Sequence, residues 1–491
     1  MNNSFDFSVF TRQSTKGIIV IYLKSIYTLF KKMWIVFLPI FFGDNKSGKL
    51  KFAIILVLSV LLFFLIRSIL AYLNYRFKIE NEHFILKHGI LRKKYVSIPF
   101  DRIQNINFNQ NFIQQLINVT QVDVETAGAK SIEISIKALN KEKAIAIKNI
   151  VFSKKKEITI QTEEIKQDKP ILKIPFYGLL KESITENHLK SLALLFITVF
   201  GLYSQNQDFF KKLEVFKSAG KDLETATNST IGLFVVFLVL ISIMISLGRI
   251  ILVHFGLTVY YKDKVLEITQ GLFTKKHQVL KKEKVQSIVI STNPLKKFFN
   301  ISSVYFMQVA NSKKVGRKSL PTRIIGCELE HVKTIKDFLF TNINVLNNQT
   351  YKPHKYYIIQ MAVRSSLLLI IPNVMIFSSH HYYLLFINLL LIPIITFYIY
   401  NKFKKAYFVF NKDIIVVGSG QVATKTTYFE YFKLQSIQLK QTIFQKRKNI
   451  YDVILQSTTG NIILPCVNKI EANNIYNYFL YQTQISTKKW M

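Results

Sequence analysis

The chain has 491 residues, with 66 Lys and Arg against 29 Asp and Glu, and a formal net charge of +37. That excess invites a nucleic-acid reading, but no base-stacking motif accompanies it, and a bias of Lys and Arg toward one side of a membrane explains much of it. The two cysteines, Cys327 and Cys466, are too few for a disulfide framework and agree with a reducing compartment.

From the amino terminus onward, apolar segments come in pairs. The first pair covers residues 23–42, which include Lys31 and Lys32, and 51–66, which end at Arg67, a side chain long enough to reach an interface. The second covers 189–203 and the uninterrupted 231–247. The third covers 358–377, with Arg364 and Pro372, and 384–400, with Pro393 and the flanking Tyr382, Tyr383, Tyr398 and Tyr400 of an aromatic belt. Uncharged apolar runs of about 18 residues predict membrane-spanning helices, because only a closed ladder of backbone hydrogen bonds survives in lipid. Buried helices of soluble domains are the alternative, and they account less well for the pairing. About six helices in three hairpins would place the segments between pairs on one side of the bilayer.

Charge says which side. The loop 204–230 is balanced, and the turn Ser378-Ser379-His380-His381 has neither Lys nor Arg. The intervening segments carry runs such as Arg92-Lys93-Lys94, Lys154-Lys155-Lys156 and Lys281-Lys282, so they are expected in the cytoplasm. The first apolar stretch starts too late, and lacks the small-residue site, for a cleavable signal peptide. Residues 43–50 nearly spell a phosphate-binding loop, but Leu50 stands where Ser or Thr must hold magnesium, and no strand precedes it.

One pattern follows each hairpin. Arg102-Ile103-Gln104-Asn105-Ile106 recurs as Lys284-Val285-Gln286-Ser287-Ile288 and as Lys433-Leu434-Gln435-Ser436-Ile437. Gly89, Gly271 and Gly420 precede it at one spacing, and Lys94, Lys276 and Lys425 stand five residues after each glycine. Asn118-Val119, Asn300-Ile301 and Asn449-Ile450 follow in register. A gap-free internal match of this kind means one module used three times, each copy expected as a small domain of its own. In the first copy, residues 77–80 and 84–88 predict strands around a turn at Asn81-Glu82, and the alternation from Lys94 to Ile98 stops at Pro99. Gln104, Ile106 and Phe108 share one face, as do Val122 with Val124 and Ile132 with Ile134 and Ile136. Helices over 141–151, 328–340 and 468–481 close the copies. Six or seven strands and one helix make a small β barrel or sandwich plugged by that helix.

The run from Gly89-Ile90-Leu91-Arg92 to Ile98-Pro99-Phe100-Asp101-Arg102-Ile103-Gln104-Asn105-Ile106 resembles the bacterial pleckstrin-homology (PH) domain of YdbS/YdbT-like membrane proteins. Three copies, each behind a hairpin, resemble the longer, three-copy members over nearly the whole chain. Lys281 and Glu430 replace Pro99 in the later copies, and the third is the most diverged. The resemblance implies an α+β membrane protein whose PH-like domains each have two packed antiparallel sheets and a C-terminal helix. It also implies a bacterial inner membrane as the location. The chain is expected to divide into 1–73, 74–153, 154–187, 188–253, 254–345, 346–401 and 402–485, hairpins alternating with PH-like domains, with 154–187 made of a charged linker over 154–169 and an interfacial amphipathic element at Phe176-Tyr177-Gly178-Leu179-Leu180-Lys181. The resemblance also hints at a smaller PH-domain membrane protein as partner.

The candidate ligand residues are Lys94 with Arg102, Lys276 with Lys284, and Lys425 with Lys433, each pair near a hairpin mouth where two cations clamp a phosphate. The bland alternative is a solvated basic face lying on anionic lipid. Gln104, Gln286 and Gln435 share the parity of buried isoleucines and are expected to make structural hydrogen bonds. His380-His381 reads as an interfacial turn rather than a metal site, and the cysteines as fillers of a small slot that Ala138 occupies in the first copy. No cofactor, metal or catalytic set is expected. The composite reading is a non-enzymatic membrane scaffold that binds a lipid surface, a peptide or a protein and that also allows an oligomer. The rivals are a transport path lined by Arg364, and nucleic-acid binding.

Overall fold

The computed structural model describes residues 5–42, 47–126, 134–153, 170–205, 228–262, 265–308, 322–340, 350–411 and 413–485. The first repeat runs β1 (Thr11–Arg12), α1 (Gly17–Phe42), α2 (Ser47–Leu73), β2 (Arg76–Glu80), β3 (His83–His88), β4 (Lys94–Pro99), β5 (Ile103–Gln110), α3 (Phe112–Leu116), β6 (Val119–Thr126), β7 (Ile134–Asn140) and α4 (Lys141–Ser153). The second runs β8 (Leu172–Lys173), α5 (Phe176–Thr185), α6 (Leu189–Gln205), α7 (Asn228–His254), β9 (Thr258–Lys262), β10 (Val265–Gln270), β11 (Lys275–Lys281), β12 (Val285–Thr292), α8 (Pro294–Phe298), β13 (Ser302–Gln308), β14 (Thr322–Cys327) and α9 (Leu329–Leu339). The third runs β15 (Thr350–Tyr351), α10 (Tyr356–Ser378), α11 (Ile387–Lys405), β16 (Tyr407–Phe410), β17 (Ile414–Gly420), β18 (Thr424–Glu430), β19 (Leu434–Lys440), α12 (Ile443–Lys446), β20 (Ile450–Ser457), β21 (Gly460–Asn468) and α13 (Lys469–Ile485).

Two compact units result: residues 1–171, 258–285 and 308–320, and residues 172–257, 286–307 and 321–491. The strands of the second repeat are thus divided, β9 to β11 falling in the first unit and β12 to β14 in the second. In the first unit, one antiparallel sheet has the order β1-β2-β3-β4. Its Phe77, Phe84, Leu86 and Ile98 meet Ile106, Val122, Val124, Ile134 and Ile136 of β5 to β7, and Ala144 and Ile147 of α4 close the core. Burying each of these Phe, Leu, Ile and Val side chains contributes roughly 1.5–3 kcal/mol. The strands β7-β6-β5 continue through β11, β10 and β9 as neighbours. The joining ladder pairs Lys275 with Gln110, Lys276 with Asn109 and His277 with Phe108. Glu267 of β10 binds both His277 of β11 (2.9 Å) and Lys148 of α4.

The second unit repeats this plan. Its larger sheet has the order β14-β13-β12-β18-β17-β16-β15, and β19, β20 and β21 form a separate sheet. Phe408, Ile415, Val417 and Phe429 pack on Val453, Leu455 and Leu464, under Ala472, Ile475 and Phe479 of α13. Here β12 is joined to β18, from Ser287 opposite Phe429 to Thr292 opposite Thr424. Expected as small domains of their own, the copies instead share sheets: the fourth strand of one repeat pairs with the third strand of the next, at β5–β11 and at β12–β18.

The repeated residues have local structural causes. A Cβ on Gly89 would stand 1.9 Å from the Arg92 carbonyl oxygen, and one on Gly420 equally close to that of Ala423, at φ of +118° and +126°; only glycine tolerates such geometry. Asn118, Asn300 and Asn449 take φ of +55°, +55° and +52°, the left-handed conformation asparagine accepts best. Asn81 and Glu82 also have positive φ, making the turn expected between β2 and β3. The short strands β1 and β15 escaped sequence reading because two residues show no periodicity. They pair with β2 and β16, so chain preceding a helix pair joins the sheet that follows it.

Four helical stretches, Ile54–Leu73, Val236–His254, Tyr356–Ser378 and Tyr382–Lys405, are long and apolar enough to cross a membrane among the described residues. The expected span at 189–203 is not one of them: α6 covers 17 residues, Leu189–Gln205, and the described residues end there. Nor is 23–42, where side chains beyond Lys31 lie outside the described residues. Also outside are residues 43–46 of the near phosphate loop, residues 154–169 of the charged linker, most of the 204–230 loop and Ile132.

Candidate headgroup site

The paired cations do not converge. From Lys94 to Pro99 strand β4 rises about 17 Å at roughly 3.3 Å per residue, and Arg102 lies beyond its far end. The same holds for Lys276 and Lys284 across β11, and for Lys425 and Lys433 across β18. One phosphate therefore cannot be clamped by both members of a pair. Lys94, Arg102, Lys276 and Lys425 are exposed, and Lys284 is half-buried. Lys433 is buried against Glu430, which corrects its expected place at a ligand site. The glutamines also part company. Gln286 is buried, Gln435 is exposed against expectation, and the side chain of Gln104 lies outside the described residues.

A different set of cations does converge, where α1 and α2 meet the end of the first module. Helix α1 starts hard against β7: the Ser14 N–H donates to the Ala138 carbonyl (2.9 Å), and a Cβ on Gly17 would lie 3.1 Å from that of Ala138. Val20 completes a small cluster with Val119 and Ala138. One turn further, Lys24 comes level with Arg67 of α2 and Lys137 of β7. These three line a cavity of about 320 Å³ whose remaining wall is Ile21, Ser25, Thr28, Leu29 and Phe64. It holds three cations and no carboxylate. Burial, and then the charges of Lys24 and Arg67, push Lys137 below the usual lysine range. His88 is likewise lowered by burial, Lys94 and Lys137, so the positive field extends from the cavity to the start of β4. Sequence reading missed this set because its members come from three elements 43 and 70 residues apart (24, 67 and 137). Arg67 was seen, but as an interfacial end of a span.

The short helices after the fourth strands form a second recurring site, built for structure. Asn111, Asn293 and Thr442 cap them, and the residue three positions on points inward each time. Gln114 donates to the Lys137 carbonyl (2.7 Å), and Gln445 to Asp452 (3.0 Å). The second copy has Lys296 instead, which donates to Glu182 of α5 (2.6 Å) and to Ser303 (2.7 Å). Ser303 and the Gly326 N–H also donate to that carboxylate, so the buried charge is fully met.

Both cysteines are free and buried. Cys466 fills the place of Ala138, since Val467 and Leu139 are the matched partners of Tyr451 and Thr120. Cys327 faces Ser302 and so stands one position later, with Gly326 in the slot, a correction to the expected equivalence. His380 contacts the Tyr382 hydroxyl (2.9 Å), and no group of three metal-binding side chains occurs among the described residues. Arg364 is exposed on α10. Asn373 of α10 and Asn388 of α11 exchange hydrogen bonds of 3.4 and 2.6 Å, a polar link between two apolar helices.

Comparison with known proteins finds the Bacterial PH domain at residues 23–155, 209–340 and 366–483. The chain is also 23% identical, over 461 residues, to the UPF0699 transmembrane protein YdbT of Bacillus subtilis (strain 168), covering 89% of this chain and 90% of that protein. Three repeats with one strand plan, four apolar helices long enough to cross a bilayer and three matched segments lead to one conclusion: this transmembrane chain belongs to the bacterial PH domain family.

Proposed function

We propose that the protein holds its three PH modules at the cytoplasmic face of a bacterial inner membrane, carried by six spans in three hairpins. There it binds anionic phospholipid and serves as a non-enzymatic scaffold. The cavity between Lys24, Arg67 and Lys137 carries this reading. Its three cations would meet a lipid phosphate, and Ile21, Leu29 and Phe64 beside them suit the start of an acyl chain. A cavity with this composition at the end of apolar helices fits a phospholipid better than a free, fully hydrated anion. The exposed Lys94, Arg102, Lys276 and Lys425 add a diffuse attraction of about 1 kcal/mol each near an anionic surface.

The test uses the full chain in nanodiscs. Anionic phosphatidylglycerol should raise its melting temperature above that in phosphatidylcholine. The triple variant Lys24→Gln, Arg67→Gln, Lys137→Gln should lose most of that difference, while Lys94→Gln with Arg102→Gln, which only thins the diffuse attraction, should lose a smaller part of it. A triple variant that keeps the whole difference refutes the site. Orientation is read separately: a cysteine placed at Lys94 should react with an impermeant maleimide only after the cells are opened.

A further inference from the structure

Two junctions inside the chain follow one rule, and two strands are left over from it. The fourth strand of a repeat takes the third strand of the next: β5 takes β11, and β12 takes β18. The first repeat's third strand, β4, and the last repeat's fourth strand, β19, are sheet edges with no strand on their free sides among the described residues. They are the two complementary halves of a third such junction. The burial pattern says that β19 is short of a neighbour. Ile106 and Ile288, on the joined strands, are fully buried, whereas their equivalent Ile437 is only partly so. Gln286 is 1% exposed, while Gln435 stands open. A groove of about 610 Å³ runs along the strand, lined by Ile437, Gln438, Leu439, Lys440, Gln441 and Tyr476.

We infer that β19 of one chain pairs with β4 of a second copy, extending the chain's own strand-sharing scheme from one molecule to the next. The inference rests on the membrane placement proposed above, which holds both copies in one plane, and is independent of headgroup binding. Strand addition at an open edge gains main-chain hydrogen bonds, with alternate side chains setting the register. The internal junctions give that register: Lys94 opposite Lys440, Tyr95 opposite Leu439, Val96 opposite Gln438 and Ser97 opposite Ile437. Pro99, which has no N–H to donate, falls just beyond the pair equivalent to Phe429 and Ser287, the end of the β12–β18 ladder. Because the joined surfaces differ, the contact is head-to-tail and either closes into a ring or propagates.

The Lys94–Lys440 pair gives the proposal a signed test. Like charges directly opposite weaken a strand pair, and salt screens them. Self-association of the full chain in neutral-lipid nanodiscs or detergent, read by mass photometry, should strengthen with ionic strength. Lys440→Glu should tighten it about three- to tenfold and reverse the salt dependence, while Gln438→Pro, which blocks the edge, should abolish it. Register is read by co-expressing differently tagged Tyr95→Cys and Leu439→Cys chains and treating the isolated membranes with copper phenanthroline as oxidant, which should form a mixed disulfide that Tyr95→Cys with Gln438→Cys does not. The proposal is overturned by a single-chain mass at all salt concentrations, by equal cross-linking of the two pairings, or by β19 capturing a different protein in place of its own chain. Loss of lipid preference in the triple variant with cross-linking intact would refute the headgroup site and leave this junction standing.

Discussion

Strands β12 and β19 begin with nearly the same residues, Val285-Gln286-Ser287-Ile288 and Leu434-Gln435-Ser436-Ile437, and have opposite surroundings. Along β12 all four residues are buried; along β19 only the first is. The difference lies in the neighbour. Strand β18 covers the edge of β12, whereas β19 is the end of its sheet. A repeated sequence thus specifies a strand and its pleat, while the depth at which that strand lies depends on what pairs with it. The position that looked most strictly structural, the glutamine, is the one whose environment changes most.

The comparison can be broken or sharpened at several points. The largest effect concerns the helix that follows each strand. Glu182→Ala leaves Lys296 charged and unpaired in the second copy, and should cost about 3–5 kcal/mol. Gln445→Ala in the third copy removes a neutral donor and should cost about 1–3 kcal/mol. Thermal unfolding of the purified chain in detergent checks both, and equal losses would contradict the assignment of a buried ion pair at this short helix to the second copy.

Next come the strands themselves. Ile288→Ala, at a fully buried position, should cost about 2–5 kcal/mol, and Ile437→Ala about 1 kcal/mol, because its site is already partly open. If the second loss rises to match the first under conditions where copies associate, a neighbour has covered β19.

An effect smaller than the Glu182 and Ile288 losses tests the covered junction at β5 and β11. Burial alone would raise the Glu267 carboxyl, but the hydrogen bond from His277 and the charge of Lys148 outweigh it and hold the group down to about 2. A carboxylate lowered on folding stabilises above its unfolded value near 4.5, and that contribution is lost as pH falls toward 2. It amounts to about 2 kcal/mol after allowing for partial exposure. Acid titration of wild type against Glu267→Gln, followed by hydrogen exchange along β10 and β11, should show the wild type losing protection between those values and the variant changing little.

Much of the fold was legible because its signals are local. The turn at Asn81-Glu82, the strand ending at Pro99 and the helices closing each copy all appear near their expected places, since periodicity and positive-φ residues act over a few positions. The candidate site was not legible in that way. Lys94 and Arg102 look adjacent in a motif, yet a strand holds them apart, while Lys24, Arg67 and Lys137 look unrelated and line one cavity. The Lys433 side chain went to Glu430, three residues earlier, a local partner that the motif comparison with Arg102 and Lys284 passed over.

By itself the sequence determined the triplication, the apolar helices, and the glycines and asparagines whose backbone conformations no larger or branched residue adopts readily. Those are properties of short stretches, and they follow from backbone sterics and from the length of an apolar run. Tertiary structure alone decided that sheets pass from one repeat to the next, that Gln286 is covered while Gln435 is not, and which three cations share a cavity. Hydrogen-bonded strand edges and converging side chains join residues far apart in the chain, and no periodicity within a segment records which distant edge will complete it.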